Sequence, residues 1–214
     1  MTKVISFYTK GTIYEKEIED LALSCKALQI DHYIEEREDL GAWEKNCNQK
    51  PLFILECLEK FNCPLLWVDS DGILLKKPNL NLQEVDLGLY FNNAKTKHAR
   101  NATIYVSPTN NTKKFLRLWY ETLQKMNSRP RKNLIPDQPV MISLIRKGEI
   151  PLKIGNLPLE YMQIFDRDQV PLEKTVILHF QASRTARMDP IFWQHLTGKE
   201  LKAIRMANSK SVTS

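Results

Sequence analysis

The chain has 214 residues, of which 43% are hydrophobic and 26% charged, and its formal net charge at pH 7 is +6. This composition is typical of a folded globular protein, so it excludes a disordered or fibrous chain, and the length suits one domain. The positive charge fits attraction to nucleic acid, to an anionic membrane or to a phosphorylated small molecule, and the sign alone does not choose among them.

The first half of the sequence predicts strands that alternate with helices. Apolar spacing predicts a strand over 4–9, a helix over 14–28, a strand over 32–36 and a helix over 51–61. Leu65–Val68 then forms an unbroken apolar run, which is typical of a central strand buried on both faces. The order of these elements indicates an α/β fold.

The second half continues the alternation. The predicted elements are strands over 86–91 and 103–106, helices over 112–126 and 137–147, and a final strand over 175–180. Residues 198–214 are basic and rich in serine and lysine, and we expect them to form a frayed tail.

The sequence carries no sign of secretion or of a membrane span. No apolar run approaches the roughly 18 residues that a spanning helix needs. The start, Val4–Tyr8, reads as a strand and lacks the basic beginning of a signal peptide. The four cysteines form no CxxC pair, and we interpret them as reduced. We therefore expect a cytoplasmic protein.

Two carboxylates follow the buried strand directly, in Asp69-Ser70-Asp71-Gly72. Ligands of an α/β sheet bind outside the carboxyl ends of its strands, so these side chains are well placed for chemistry. Their oxygens suit Mg²⁺ or Mn²⁺, which also accept substrate phosphates as ligands. The alternative is a plain surface turn, because this tetrapeptide is also a favourable turn sequence. The apolar residues on both sides of it favour the metal site.

The segment Pro64–Pro78 contains an apolar strand, the Asp-x-Asp triplet, further apolar residues and a proline. In this pattern the sequence resembles the GT-A-like glycosyltransferases, which are nucleotide-diphospho-sugar transferases. The resemblance extends to Lys50-Pro51 and Asp137-Gln138, each before a helix, and to His179-Phe180-Gln181. It implies one GT-A-like (Rossmann-like) α/β domain over 1–197, with a mixed, mainly parallel central sheet flanked by helices.

The resemblance also implies roles for individual residues. Asp69, Asp71 and His179 would hold Mn²⁺ or Mg²⁺, which neutralises the diphosphate as it leaves the sugar. Asp137 is the catalytic candidate, as a base near the acceptor hydroxyl, and its alternative is a plain N-cap. The donor-binding candidates are Tyr8, Thr9, Lys50, Ser70 and Arg184. The acceptor- or sugar-binding candidates are Asn92, Asn93, Asn101 and Gln138.

Several of these assignments have a simpler alternative. Lys50 is equally well explained as an exposed lysine at a helix start, an arginine beyond a strand such as Arg184 is usually solvated, and asparagines also form turns.

The expected activity is that of a glycosyltransferase of the hexosyltransferase type. It would move a sugar from a nucleoside diphosphate sugar to a hydroxyl of a glycan or lipid-linked acceptor. A nucleotidyltransferase acting on a sugar phosphate is the nearest alternative, but Lys10-Gly11-Thr12 is poor in glycine for a phosphate-cradling loop.

A module that binds nucleic acid or phosphoglycan is a third possibility, suggested by the charge of +6 and by Arg129-Pro130-Arg131-Lys132. It leaves the acidic cluster unexplained, so we expect no nucleic-acid partner. The basic C-terminus instead predicts peripheral contact with the inner face of an anionic membrane.

Overall fold

The computed structural model describes residues 2–80, 82, 84–93, 95, 98–128, 134–168 and 170–182. The candidate Arg184, the basic segment Arg129-Pro130-Arg131-Lys132 and the predicted tail 198–214 lie outside these residues. In the described part of the chain, no helix is both long enough and apolar enough to cross a membrane.

The described ranges contain both helices and strands, but they do not alternate strictly, because four strands follow one another in the middle of the chain and two helices come after them. The helices are α1 (Tyr14–Ala27), α2 (Trp43–Cys47), α3 (Lys50–Phe61), α4 (Asn110–Asn127) and α5 (Asp137–Lys147). The strands are β1 (Lys3–Thr9), β2 (His32–Arg37), β3 (Leu65–Val68), β4 (Gly72–Leu74), β5 (Leu87–Asn93), β6 (His98–Val106), β7 (Ile154–Asn156), β8 (Gln163–Ile164) and β9 (Ile177–His179). A 3₁₀ turn, Leu159–Tyr161, precedes β8.

The central sheet has the strand order β2-β1-β3-β6-β5-β7. Strand β6 is antiparallel to both neighbours, and the other pairs are parallel, so the prediction of a mixed, mainly parallel sheet is confirmed. Because β6 runs backwards, its first residues lie beside the carboxyl ends of β3 and β5. Residues of β6 thereby reach the edge where ligands of such sheets bind.

The predicted central strand separates two layers of core. Leu65 and Trp67 face a cluster with α3, α4 and α5, whereas Leu66 and Val68 face α1 on the other side. All four side chains are buried. Strand residues alternate between the two faces of a sheet, so an unbroken apolar run is what a strand covered by helices on both faces requires.

A second, smaller sheet of β4, β9 and β8 was not predicted. The predicted strand over 175–180 is shorter, Ile177–His179, and belongs to this sheet. Strand β9 is antiparallel to β4, with Gly72 opposite His179. This pairing brings the late histidine next to the acidic turn. The small strands escaped prediction because two or three residues carry no readable periodicity.

The remaining differences concern the ends of elements and two short elements that were not predicted, α2 and β7. The strand predicted over 103–106 begins earlier, at His98, and the helix predicted over 112–126 begins at Asn110. The Thr109 side chain caps that helix by accepting a hydrogen bond from the Thr112 N–H. Helix α2 was not predicted, since five residues hold too little of a helical repeat.

Candidate active site

The acidic segment is a tight turn between β3 and β4. The Gly72 N–H donates to the Asp69 carbonyl at 2.8 Å, and the Asp69 N–H donates to Ala102 of β6 at 2.8 Å. A Cβ on Gly72 would lie 2.6 Å from Val68 Cγ1 and 3.1 Å from His179 Cε1. Only glycine therefore lets the histidine strand approach this closely. The turn alternative is correct in form, yet the turn also carries both carboxylates to the edge of the sheet.

Asp71 and His179 form a buried pair behind this turn. Asp71 Oδ2 accepts a hydrogen bond from the Ala182 N–H at 2.8 Å, and His179 Nε2 lies 2.8 Å from Thr103 Oγ1. The other two atoms, Asp71 Oδ1 and His179 Nδ1, are 3.8 Å apart. Both are buried, and neither has a hydrogen-bond partner among the described residues. Buried polar atoms are nearly always paired, so this pair calls for a ligand.

Lys50 lies at the centre of a second buried cluster. Its Nζ is 2.9 Å from Asp69 Oδ1, 3.1 Å from Asp137 Oδ2 and 3.2 Å from the Asn101 carbonyl oxygen. The Asn101 amide donates to the same Asp137 oxygen at 2.7 Å, and Trp67 Nε1 donates to Asp69 Oδ1 at 2.8 Å. The alternative of an exposed lysine is wrong, because Lys50 is only 4% exposed.

Asp137 is also not an N-cap. Pro136 occupies that position, and no side chain caps the helix. The Asp137 carboxylate points instead into the cluster, where Lys50 and Asn101 hold it. The helix start therefore places a charged group at the site rather than closing its own first turn.

Burial and nearby charges shift the pKa values of several groups at this site. Burial alone would lower the pKa of Lys50, but Asp137 and Asp69 outweigh it and raise the pKa above its ordinary value. Burial and the nearby Asp71 raise the pKa of Tyr14. Burial also raises the pKa of Asp69, aided by Asp71 and opposed by Lys50. At neutral pH Lys50 is therefore a cation, and Tyr14 keeps its proton.

A cavity of about 470 Å³ opens over these clusters. Its wall includes most of the predicted site residues, namely Tyr8, Thr9, Lys50, Asp69, Ser70, Asp71, Asn92, Asn101, Asp137 and Gln138. His179 is fully buried and lies behind Asp71. A space of this size is within the range of small-molecule sites.

Comparison with known families identifies the class of protein. A family model described as nucleotide-diphospho-sugar transferase matches residues 20–188. The chain belongs to this family. The matched range contains the acidic turn, Lys50, Asp137 and His179. No curated protein sequence shows a significant match to this transferase.

Solved structures of glycosyltransferases share the fold of this transferase. One is a glycosyltransferase involved in the glycosylation of the major capsid of PBCV-1, with a TM-score of 0.67 and 18% identity over 87% of this chain and 96% of that chain. Another is the glycosyltransferase GlyE of Streptococcus pneumoniae TIGR4, with a TM-score of 0.54 and 15% identity over 84% of this chain and 54% of that chain. The transferase thus spans about half the length of GlyE. These similarities confirm the predicted α/β fold, and the family confirms the predicted enzyme class, a glycosyltransferase.

The transferase does not bring every candidate to the cavity. Asn92 lines it, with its side chain bonded to Arg100 and His98, but Asn93 is exposed and is not part of the wall. Strand β5 has a register shift between Phe91 and Asn93, so the ordinary alternation of side chains is interrupted at these asparagines. The candidate Arg184 lies outside the described residues.

Within the described ranges, no group of three or more His, Cys, Asp and Glu side chains is arranged as a metal site. A three-ligand site of Asp69, Asp71 and His179 therefore stays a prediction. Ions such as Mg²⁺ often take only one or two carboxylates from the protein and complete their shell with phosphates and water.

Several residues of the wall carried no sequence signal. They are Tyr14, Trp43, Asn46, Arg100 and Arg167. Arg100 forms a two-pronged ion pair with Asp168, at 2.5 and 3.1 Å, which ties β6 to the loop after β8. A single arginine in a strand has no motif, so its role follows only from the pairing of distant segments.

Proposed function

We propose that this protein is a metal-dependent glycosyltransferase that moves a sugar from a nucleoside diphosphate sugar to a hydroxyl of a glycan or lipid-linked acceptor. The proposal rests on the buried pair of Asp71 Oδ1 and His179 Nδ1, which lacks partners among the described residues. The family supports a nucleotide-sugar donor and disfavours the nucleotidyltransferase alternative. The family also supports a glycan acceptor.

The donor atoms of this pair fit a divalent cation. If the His179 Nε2–H donates to Thr103, the lone pair of Nδ1 is free to face Asp71 Oδ1. A carboxylate oxygen and an imidazole nitrogen suit Mn²⁺, and the nitrogen favours Mn²⁺ over Mg²⁺. Asp69 keeps 31% of its side chain exposed and adds negative charge nearby. We therefore assign Asp71 and His179 as direct ligands and Asp69 as the third member of the site.

The cation, when bound, would neutralise the diphosphate as the bond to the sugar breaks. The protein supplies the remaining roles. Lys50 has three protein oxygens within reach of its ammonium group, so we assign it to holding Asp69 and Asp137 rather than to binding phosphate. Asn101 fixes the orientation of Asp137 from the other side. Together the two donors hold the Asp137 carboxylate at the cavity wall.

Asp137 is the proposed catalytic residue. If the reaction inverts the anomeric carbon, its carboxylate accepts the proton of the acceptor hydroxyl. If the reaction retains the configuration, the same carboxylate stabilises the positive charge that develops on the sugar ring.

The other candidates divide between the two ends of the cavity. Tyr8, Thr9 and Ser70, at the carboxyl ends of β1 and β3, are assigned to the donor. Asn92 and Gln138, from β5 and α5, are assigned to the transferred sugar or the acceptor. Arg184 remains a predicted donor contact.

Thermal unfolding with and without Mn²⁺ tests the proposal. UDP, GDP and CDP are each added to the wild-type protein and to Asp71→Asn. A ligand at 100 times its dissociation constant stabilises by about 2.7 kcal/mol. That shift raises the melting temperature by about 5–10 °C in a chain of this size. We expect one of the three nucleotides to raise the melting temperature of the wild type, and only when Mn²⁺ is present. The same nucleotide should leave the melting temperature of Asp71→Asn unchanged.

The matched control is Asp31→Asn. Asp31 is an exposed aspartate paired with Lys3, at the amino end of the sheet and away from the cavity. Its removal should leave the nucleotide effect intact. A full effect in Asp71→Asn, or no effect of any nucleotide on the wild type, would contradict the proposal.

The basic C-terminus supports a lipid-linked acceptor and a location at the membrane surface. Residues 198–214 contain four basic residues and one acidic residue, which favours contact with anionic lipids at the inner face of the membrane. A cytoplasmic enzyme with a lipid-linked acceptor would use such a contact. The chain truncated after Thr197 should bind vesicles containing phosphatidylserine more weakly than the full chain. Equal binding of the two chains would remove this part of the proposal.

A further inference from the structure

Gln181 has an unusual backbone for its residue type. Its φ is 56°, in the left-handed region that a residue with a Cβ rarely adopts. The residue follows β9 by two positions and lines the cavity. Strained residues of this kind persist where the surrounding structure enforces them, and they concentrate at functional sites.

Hydrogen bonds on both sides of Gln181 hold this conformation. The Phe180 N–H donates to the Asp71 carbonyl oxygen at 3.0 Å, and the Ala182 N–H donates to Asp71 Oδ2 at 2.8 Å. Gln181, the left-handed residue between them, turns the chain so that both backbone N–H groups point towards Asp71. One carboxylate oxygen is thus occupied, and the other remains directed towards His179.

The backbone alone does not account for a glutamine. Glycine adopts this conformation without strain and would make the same two hydrogen bonds. The glutamine side chain forms no hydrogen bond with another described residue. Gln181 lines the cavity, and a primary amide offers two donors and an acceptor. A neutral group with both functions suits hydroxyl groups better than it suits an anion.

We infer that Gln181 determines specificity for the donor by hydrogen bonding to hydroxyl groups of the transferred sugar. The inference rests on the proposed function and adds the part of the donor that this residue recognises. The strain at Gln181 is retained because the same backbone conformation places this residue in the cavity wall and the Ala182 N–H on Asp71. A site that hydrogen-bonds a substrate hydroxyl also rejects donors that lack it.

Calorimetric titration of the full chain with Mn²⁺ separates the sugar from the nucleotide. The ligands are UDP and GDP, compared with UDP-glucose, UDP-galactose and GDP-mannose. The variants are Gln181→Gly, which removes both amide and strain, Gln181→Ala, which removes the amide alone, and Gln181→Asn, which keeps a shorter amide. We expect both amide-free variants to bind the nucleoside diphosphate as the wild type does. Their affinity for the preferred nucleotide sugar should fall about tenfold, the loss of one good hydrogen bond.

A second glutamine provides the matched control. Gln29 also has a left-handed backbone, with a φ of 54°, but it is exposed after α1 and lies away from the cavity. Gln29→Gly and Gln181→Gly should both melt at a higher temperature than the wild type, because both relieve strain. Only the change at Gln181 should weaken nucleotide-sugar binding, and Gln181→Asn should restore part of it.

The outcomes distinguish this inference from the proposed function. If Gln181→Gly and Gln181→Ala bind the nucleotide sugar as tightly as the wild type, the inference is wrong and the proposed function stands. If the affinity of these variants for UDP or GDP falls as much as their affinity for the nucleotide sugar, Gln181 acts on the diphosphate or the metal, and the inference is again wrong. If the wild type binds no nucleotide with Mn²⁺, both fall together.

Discussion

Replacing Lys50 with methionine removes a buried cation and leaves a side chain of similar length. The lysine ammonium lies 2.9 Å from Asp69 and 3.1 Å from Asp137. Removal of one partner from a buried ion pair costs about 3–5 kcal/mol, because the other charge is left without compensation. Since 31% of the Asp69 side chain is exposed, water compensates part of this charge. We therefore expect Lys50→Met to lower the free energy of unfolding by about 3 kcal/mol, the lower end of that range.

Urea unfolding followed by circular dichroism measures this loss. In a thermal scan the same loss lowers the melting temperature by about 6–12 °C. The double variant Lys50→Met/Asp137→Asn also removes one of the two carboxylate charges that the single change leaves unpaired, the more buried one. It should recover about 1–2 kcal/mol of the loss. Lys147→Met is the matched control, since it removes a surface lysine 3.7 Å from Glu149 and should leave the urea midpoint unchanged.

The pH dependence of the effect follows from the raised pKa of Lys50, where Asp137 and Asp69 outweigh burial. Stability gained from a raised lysine pKa is fully present below the unfolded value of about 10.4 and is lost only as pH rises through the higher folded value. The difference between wild type and Lys50→Met should thus stay constant between about pH 7 and 9. A double variant no more stable than the single one, or a loss below about 1 kcal/mol, would refute the role of Lys50 in compensating buried carboxylates.

Two further changes test the surroundings of the site. Gly72→Ala adds a methyl group 2.6 Å from Val68 Cγ1 and 3.1 Å from His179 Cε1. It should therefore lower the free energy of unfolding in urea by about 1–3 kcal/mol and weaken Mn²⁺ binding. If the variant is as stable as the wild type, Val68 can move aside and the close approach does not require glycine. Burial opposes ionisation of Asp168, but the hydrogen bonds and charge of Arg100 outweigh burial and lower the pKa of Asp168. The stability that the ionised Asp168 contributes is therefore present above its unfolded pKa of about 3.9, and it is lost as the pH falls through the lower folded pKa. Asp168→Asn should therefore be less stable than the wild type at neutral pH, with a difference that shrinks below about pH 4, and a difference independent of pH would exclude this ion pair as its cause.

The longer elements were predictable because the spacing of their apolar residues shows which of their faces are buried. The run Leu65–Val68 was identified as a central strand, and the apolar faces of α1, α3, α4 and α5 were identified as helices near their observed bounds. Each of these elements repeats its pattern over several residues. The strands of the small sheet have two or three residues, so their existence depends on partners elsewhere in the chain.

The candidate site was predictable only as a set of residue types. Sequence spacing placed two carboxylates after a buried strand, and that position is correct. It did not indicate that Lys50 is buried, since a lysine at the start of a helix is usually exposed. Its partners come from β6 and α5, which no local pattern connects to it.

By itself the sequence determined the α/β alternation, the buried strand that leads into Asp69-Ser70-Asp71-Gly72, and the resemblance to nucleotide-diphospho-sugar transferases. The tertiary structure decided which side chains meet. Strand β6 runs against its neighbours and brings Asn101 and Thr103 to the carboxyl edge of the sheet, and the pairing of β4 with β9 sets His179 behind Asp71. The physical reason is that apolar periodicity records how each element is buried, whereas contacts between polar side chains depend on strand direction and register, which distant segments settle together.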